Sequence, residues 1–220
     1  MSPQSPAVLT ELADSIAIIR FNRPAERNPL SRATLLELKT ILAEVLANDA
    51  VKAIIFTGSA DVFLSGANIR ELSQLDSESA LAFAKLGQDI FQTIVDAKQI
   101  TISAINGYCM GGGLDLALAC DIRVASGAAV FSHPGARLGI ITGWGGTQRL
   151  PRIIGKAAAL EMILTARRVD SREALSLGLV TMVTEDALQE AVTIARSSLE
   201  RFISSESARF PSGNPQSYGQ

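Results

Sequence analysis

Residues 103–121, SAINGYCMGGGLDLALACD, set three consecutive glycines ahead of a helical apolar pattern, with an aspartate three residues past the middle glycine. Gly111, Gly112 and Gly113 carry no Cβ, so another group can approach their backbone closely. The first N–H groups of a helix have no intrahelical partner, and with the helix dipole they favour an anion or a developing enolate oxygen. Residues i and i+3 share a helix face, which sets the Asp115 carboxyl and the Gly112 amide on the border of one pocket. Such a pairing suits oxyanion stabilisation combined with proton transfer. The plainer alternative is that the glycines only let a strand and a helix pack tightly. The run lacks the GxGxxG spacing and the GK[ST] ending of nucleotide-binding loops.

A second loop, Asp61–Ile69 (DVFLSGANI), offers Gly66 and the amide of Ala67. Two amides from separate loops make a complete oxyanion hole, each donor contributing ~3 kcal/mol to transition-state stabilisation. Activated nucleophiles are not evident: Ser65 and Ser132 lie on different loops without a Ser–His–Asp layout. His133 is the single histidine, and no cluster of metal-ligating residues appears, so no metal is expected.

Positioning these loops requires alternating strands and helices. The pattern predicts a strand near Ala7–Leu12 pairing across a turn at 13–15 with one around Ile16–Phe21, then a loop enforced by Pro24 and Pro29. Ser31 caps a helix over 32–47 that carries Leu35, Leu38, Leu42, Val45 and Leu46 on one side. A buried strand follows at 53–57, a loop at 58–68, a helix at 78–96, a strand at 100–105, and a helix from the glycines to about Ala119. Short strands are expected at 122–125, 130–131 and 179–183, and helices at 145–152, 156–166, 171–177 and 186–207. This alternation argues for an α/β fold. Residues 1–207 read as the core, and 208–220, with Phe210–Gln220 poor in apolar residues, as a disordered tail.

The bulk properties narrow the function. The chain has 220 residues, 47% of them hydrophobic, enough for a packed core. Twenty basic against 22 acidic residues give a net charge of −2, which argues against a nucleic-acid footprint. No 18-residue apolar run or leader pattern is found, so neither a membrane span nor a signal peptide is expected, and the assignment is cytoplasmic. Cys109 and Cys120 sit in apolar surroundings and read as buried, reduced thiols.

The chain resembles the crotonase superfamily, that of enoyl-CoA hydratase and isomerase. The likeness rests on Phe21-Asn22-Arg23-Pro24, Phe63–Ile69, Ile105-Asn106-Gly107 with Gly111–Asp115, Ala119–Arg123 and Gly143–Pro151 (GWGGTQRLP), in order across about residues 7–200. The resemblance implies a crotonase-like spiral of ββα units with helices around the sheets, assembled as a homotrimer or hexamer. It implies an acyl-CoA substrate, with coenzyme A present only as part of it, and fatty acid metabolism as the setting. The thioester carbonyl would sit between the amides of Ala67 and Gly112. Ala67, Asn68, Ile69 and Arg70 would run beside the adenine, and the Arg23–Leu30 loop, with Arg23 and Arg27, would meet the nucleotide and pantetheine. Solvated surface arginines remain the alternative there.

Two positions depart from the hydratase pattern, in which two glutamates flank a water. Asp115 stands at the first, one methylene shorter. Gly135 stands at the second and has no side chain, which sets the two-glutamate mechanism in question. Asp115 alone can still move a proton between carbons of an enolisable acyl chain; the helix start would lower its pKa and an apolar pocket would raise it. His133 is expected in an extended segment, on the same side as Gly135, where it would position water or a substrate polar group; a histidine hydrogen-bonded near the surface is the alternative. Asp121 and Arg123 are expected to pair at a strand start, and Trp144–Thr147 to cap the next helix and shape the acyl pocket. Family members usually continue into further helices that cover the pocket, so a more open pocket is expected here. The reading is a CoA-thioester lyase or isomerase with Asp115 as acid/base. Its competitor is a noncatalytic acyl-CoA-binding homologue or assembly partner.

Overall fold

A computed structural model describes residues 5–209. The chain starts with an antiparallel pair, β1 (Val8–Ala13) and β2 (Ile16–Phe21), in register from Val8 opposite Phe21 to Ala13 opposite Ile16. A two-residue strand β3 (Pro29–Leu30) leads to helix α1 (Arg32–Ala47), whose N-cap Ser31 accepts from the Thr34 amide. Next come β4 (Ala53–Thr57), β5 (Val62–Leu64), β6 (Gly66–Ala67), the single turn α2 (Ile69–Leu72) and the long α3 (Ser77–Val95). β7 (Ile100–Ile105), β8 (Tyr108–Met110) and α4 (Gly112–Ala119) form the central unit. β9 (Ile122–Ser126), β10 (Val130–Ser132), α5 (Gly146–Ile154), α6 (Lys156–Thr165), β11 (Val169–Asp170), α7 (Ser171–Ser176), β12 (Met182–Thr184) and α8 (Ala187–Arg209) complete it.

The main sheet has the order β1-β2-β4-β7-β9-β12 and is parallel apart from the β1–β2 edge. A second sheet, β11-β10-β8-β5, and the small β3-β6 pair stand beside it. Together these repeated strand–strand–helix units build the α/β arrangement expected from the sequence. Strand period decides the layering. Ile16, Ile18, Ala53, Ile55, Ile102 and Ala104 face α8, which meets them with Ala187, Ala191 and Ala195, one face of a helix at i, i+4 and i+8. The alternate residues Ala17, Ile19, Ile54 and Phe56 join the larger core with α1, α3 and α4.

The glycine run is positioned by a unit that differs from the expected one. The apolar strand does not enter it directly: Asn106 and Gly107 turn the chain, and β8 pairs in parallel with β5 and β10 before α4 begins. The expected loop at 58–68 contains β5 and β6. The strand expected at 179–183 is shifted to β12, because Leu179 and Thr181 bond to Arg123: its guanidinium donates to the Leu179 carbonyl, and its own carbonyl accepts from the Thr181 amide. Asp121 and Arg123 do not pair with each other. Asp121 accepts from the amide and hydroxyl of Thr101, and buried Arg123 donates to the Cys120 and Leu179 carbonyls, so each side chain is taken up by other partners. The tail expected to fray, Phe210–Gln220, lies outside the described residues.

Candidate active site

A cavity of about 270 Å³ lies between α3, α4, β6 and the segment 133–144. Its wall is largely apolar, with Leu72, Leu75, Phe83, Ile141 and Trp144 among its residues, and Asp115 and His133 are its titratable groups. Ala67, Gly112, Asp115 and His133, the four expected to carry the chemistry, all border it.

The three glycines have different jobs. Gly111 adopts φ 51°, a left-handed conformation that turns β8 into α4. A Cβ on Gly113 would come within 2.5 Å of the Leu64 carbonyl oxygen, so this glycine serves the packing of α4 on β5. A Cβ on Gly112 would lie 2.4 Å from the Trp144 ring and 3.6 Å from the Ala67 nitrogen. Gly112, the first residue of α4, and Ala67 both line the cavity. At Gly113 and at Gly112 a Cβ would collide with protein, Leu64 and Trp144 respectively, which is the packing reading.

Ala67 is held there by Asn28, a residue sequence reasoning passed over. Asn28 is buried at φ 47° and accepts from the Arg23 amide while donating to the Val62 and Phe63 carbonyls. It ties the 23–30 loop to β5, so that β3 can pair with β6. Of the residues expected to contact the CoA thioester, Ala67, Gly112 and Ile69 border the cavity. Asn68 does not, and its side chain caps α2, accepting from the Arg70 and Glu71 amides. Arg70 is exposed, and the exposed Arg27 sets its guanidinium 5.3 Å from the centre of the Tyr108 ring.

Trp144 is buried, edge-on to Phe83 and Phe91 at 5.3 and 5.7 Å, and wedged between Gly87 and Gly112. It shapes the pocket as expected, and Gly145 precedes α5 as its N-cap. The extended segment expected across His133 and Gly135 is not found. Pro134 starts a turn of 3-10 helix to Leu138, so His133 and Gly135 do not alternate along a strand. His133 is also not near the surface: it is 3% exposed, and neither ring nitrogen has a hydrogen-bond partner. Its Nε2 lies 3.5 Å from Asp115 Oδ1, likewise unpartnered. Thr142 was missed altogether. Its hydroxyl donates to Asp115 Oδ2 in a very short contact.

Burial decides the contest over Asp115. It pushes the carboxyl up from 3.8 to about 7, against the lowering effects of the Thr142 hydroxyl, the Trp144 and Gly146 amides and the Arg149 charge. Burial also pushes His133 down from 6.5 to about 4. Both cysteines are buried free thiols, pushed up by desolvation. Among the described residues there is no metal-binding cluster, and no helix is long and apolar enough to cross a membrane.

Opposed shifts predict an unusual pH response of stability. Between about pH 4 and pH 6.5 the unfolded chain has lost the aspartyl proton that the native state keeps, and holds an imidazole proton that the native state lacks; the two contributions cancel. Asp115→Asn leaves the histidine alone, so stability falls as pH drops through that window. His133→Leu leaves the aspartate, so stability falls as pH rises through it towards 7. Urea midpoints measured across the window are expected to slope in opposite directions for the two variants; parallel slopes would contradict at least one of the two shifts.

The family model for enoyl-CoA hydratase/isomerase matches residues 11–210. The chain is 39% identical over 191 residues to a crotonyl-CoA hydratase of Syntrophomonas wolfei, covering 86% of this chain and 74% of that one. It is 35% identical over 198 residues to a short-chain-enoyl-CoA hydratase of Clostridium acetobutylicum, covering 90% and 75%. An enoyl-CoA hydratase structure from Bacillus anthracis superposes with TM-score 0.83 at 34% identity, covering 87% of this chain and 76% of that chain.

Proposed function

Because the chain belongs to the enoyl-CoA hydratase/isomerase family, we propose that it is a CoA-thioester enzyme that stabilises a thioester enolate with the Ala67 and Gly112 amides and moves protons with Asp115. The observation that carries this reading is a buried carboxyl, pushed up by desolvation to about 7, that lines the same apolar cavity as Gly112 and Ala67. General acid–base groups work best with a pKa near the operating pH. An amide pair lowers the energy of the enolate and so brings a C2 or C4 proton within reach of a carboxylate. When that C–H bond breaks, the proton passes to Asp115 and the electron pair moves onto the thioester oxygen. Return of the proton to either carbon gives exchange or isomerisation. Addition of water at C3 of an enoyl thioester forms the enolate of the 3-hydroxyacyl thioester; the water's proton passes to the Asp115 carboxylate, which returns it to C2.

Incubating the protein in D2O with enoyl-, 3-hydroxyacyl- and saturated acyl-CoAs tests this by mass spectrometry. Deuterium at C2 is expected, with a hydration product wherever a water can be delivered to C3. A protein that binds the thioesters and exchanges nothing would be the noncatalytic homologue.

The cavity also sets a substrate preference. It is small beside typical ligand pockets of about 300–1,000 Å³. Among the described residues, its lining contains no lysine or arginine to meet a second carboxylate. Short apolar acyl chains are expected to give kcat/KM at least about tenfold above chains of the same length that end in a carboxylate, since burying an unpaired charge is strongly unfavourable. Equal values across such a pair would contradict the apolar wall as the selector.

A further inference from the structure

Three side chains from three elements converge on Gly146. A Cβ there would lie 2.2 Å from Asp115 Oδ1, 2.8 Å from Thr142 Cγ2 and 3.0 Å from His133 Cε1. Asp115 comes from α4, His133 from the end of β10, and Thr142 from the loop before α5. That loop is tied down by the Gln88 side chain, which donates to the Gly143 carbonyl at 2.8 Å, and by the Ile140 amide on the Gly135 carbonyl. Asp115 Oδ2 has its donor in Thr142. Oδ1 and His133 Nε2 are both buried, 3.5 Å apart and without a well-formed hydrogen bond, although the Trp144 and Gly146 amides also approach the carboxyl; the gap closes to a hydrogen bond with a movement of a few tenths of an ångström.

We propose that Thr142 and His133 are paired neutral positioning residues for Asp115, Thr142 Oγ1 donating to Oδ2 and His133 Nε2–H donating to Oδ1. The function drawn from this clamp rests on Asp115 being the proton carrier. Placing the imidazole proton on Nε2 satisfies two buried atoms at once. It leaves Nδ1 as a bare acceptor, which costs less than a bare buried N–H. Burial keeps the ring uncharged across the working range, so it supplies a hydrogen bond and no charge. Each carboxylate oxygen retains a lone pair for a substrate proton. The charged or titratable groups facing Asp115 from other elements are Arg149 on α5, whose guanidinium donates to the Trp144 carbonyl, and the neutral thiol of Cys109 on β8. The pair thus holds the base form of Asp115 in a site that lacks the second carboxyl the family pattern would place at Gly135. A Cβ at Gly135 would meet the Ile140 carbonyl oxygen at 2.8 Å, so the observed 134–140 turn has no room for one.

The test is a 13C titration of the Asp115 carboxyl, assigned by its disappearance in Asp115→Asn. Loss of either donor weakens the charged form, so Thr142→Val and His133→Leu are each expected to raise the midpoint above the wild-type value by about one pH unit. Thr142→Ser and His133→Gln, which keep a donor, are expected to restore most of the shift, and the pH profile of kcat/KM should follow. A residue that served packing alone would lower activity without moving the midpoint. An unmoved midpoint in both apolar variants, or a fall in His133→Leu, overturns the clamp. If His133→Leu does not fold, Thr142→Val against Thr142→Ser and His133→Gln against wild type decide the matter. Midpoints that move as stated in a protein that exchanges no C2 proton leave the clamp standing and remove the proposed function.

Discussion

Replacing Asp115 with asparagine should abolish turnover while leaving thioester binding nearly intact. The loss of C2 exchange is expected to be at least about 10³-fold, in line with removal of the general acid–base group from a preorganised site. The amide of asparagine has nearly the shape of the carboxyl and can still accept from the Thr142 hydroxyl, so cavity and fold should persist. It cannot take a proton from carbon. The Ala67 and Gly112 amides belong to the backbone and are untouched, so affinity for a saturated acyl-CoA should change by less than about threefold, a difference well under 1 kcal/mol. The wild-type rate carries a further signature. For proton abstraction the base form is required, so kcat/KM should climb with pH until about 7 and then level off. His133, uncharged above about 4, should add no second limb near neutrality. Measuring C2 deuteration by mass spectrometry and binding by calorimetry on the same two proteins separates the outcomes. Equal exchange in both would remove Asp115 from the mechanism. Binding without exchange in either would make the protein a thioester-binding homologue.

How far the sequence reveals this site depends on the range of the interactions concerned. α1, β4 and β7 are legible because period, cap and turn chemistry are written in neighbouring residues: Ser31 caps α1, and Gly58 follows β4. The glycine run with Asp115 is legible for the same reason, since i and i+3 on a helix must share a face. The short strands β5, β6 and β8 are not legible. Each has two or three residues and exists because distant partners supply the other half of its ladder. His133 shows the limit of dihedral rules. Pro134 keeps the residue before it out of the helical region, as His133 φ −108° and ψ 87° show. The turn that follows is nonetheless closed by the Gly135 carbonyl and the Ile140 amide, a bond that the local preference of His133 does not foretell. Thr142 has no local signal. Its hydroxyl matters because Gln88, far earlier in the chain on α3, anchors the loop that carries it.

Gly146→Ala is the smallest change expected to dismantle the site. Gly146 is the first residue of α5, where alanine is ordinarily the better helix former, so local preference favours the substitution. The surroundings oppose it. The new methyl would stand 2.2 Å from Asp115 Oδ1, well inside contact distance, and 2.8 Å from the Thr142 methyl. Neither neighbour can yield freely. Asp115 lies on a helix buried on nearly every side, and Thr142 is on the loop fastened to α3. Relief must come from rotating the carboxyl away from Thr142 and His133 or from backing α5 off α4. Overpacking of this kind costs roughly 1–3 kcal/mol, which should appear as a lower urea midpoint. The catalytic loss should be larger than stability alone implies, because a displacement of about 1 Å at a reacting group can cost on the order of 100-fold. The expected result is a folded protein with C2 exchange reduced at least about 100-fold and an altered Asp115 titration. A Gly146→Ala protein that exchanges at the wild-type rate would mean that the carboxyl does not need the place it occupies beside this glycine. The convergence of α4, β10 and the 139–145 loop would then be a matter of packing and not of chemistry.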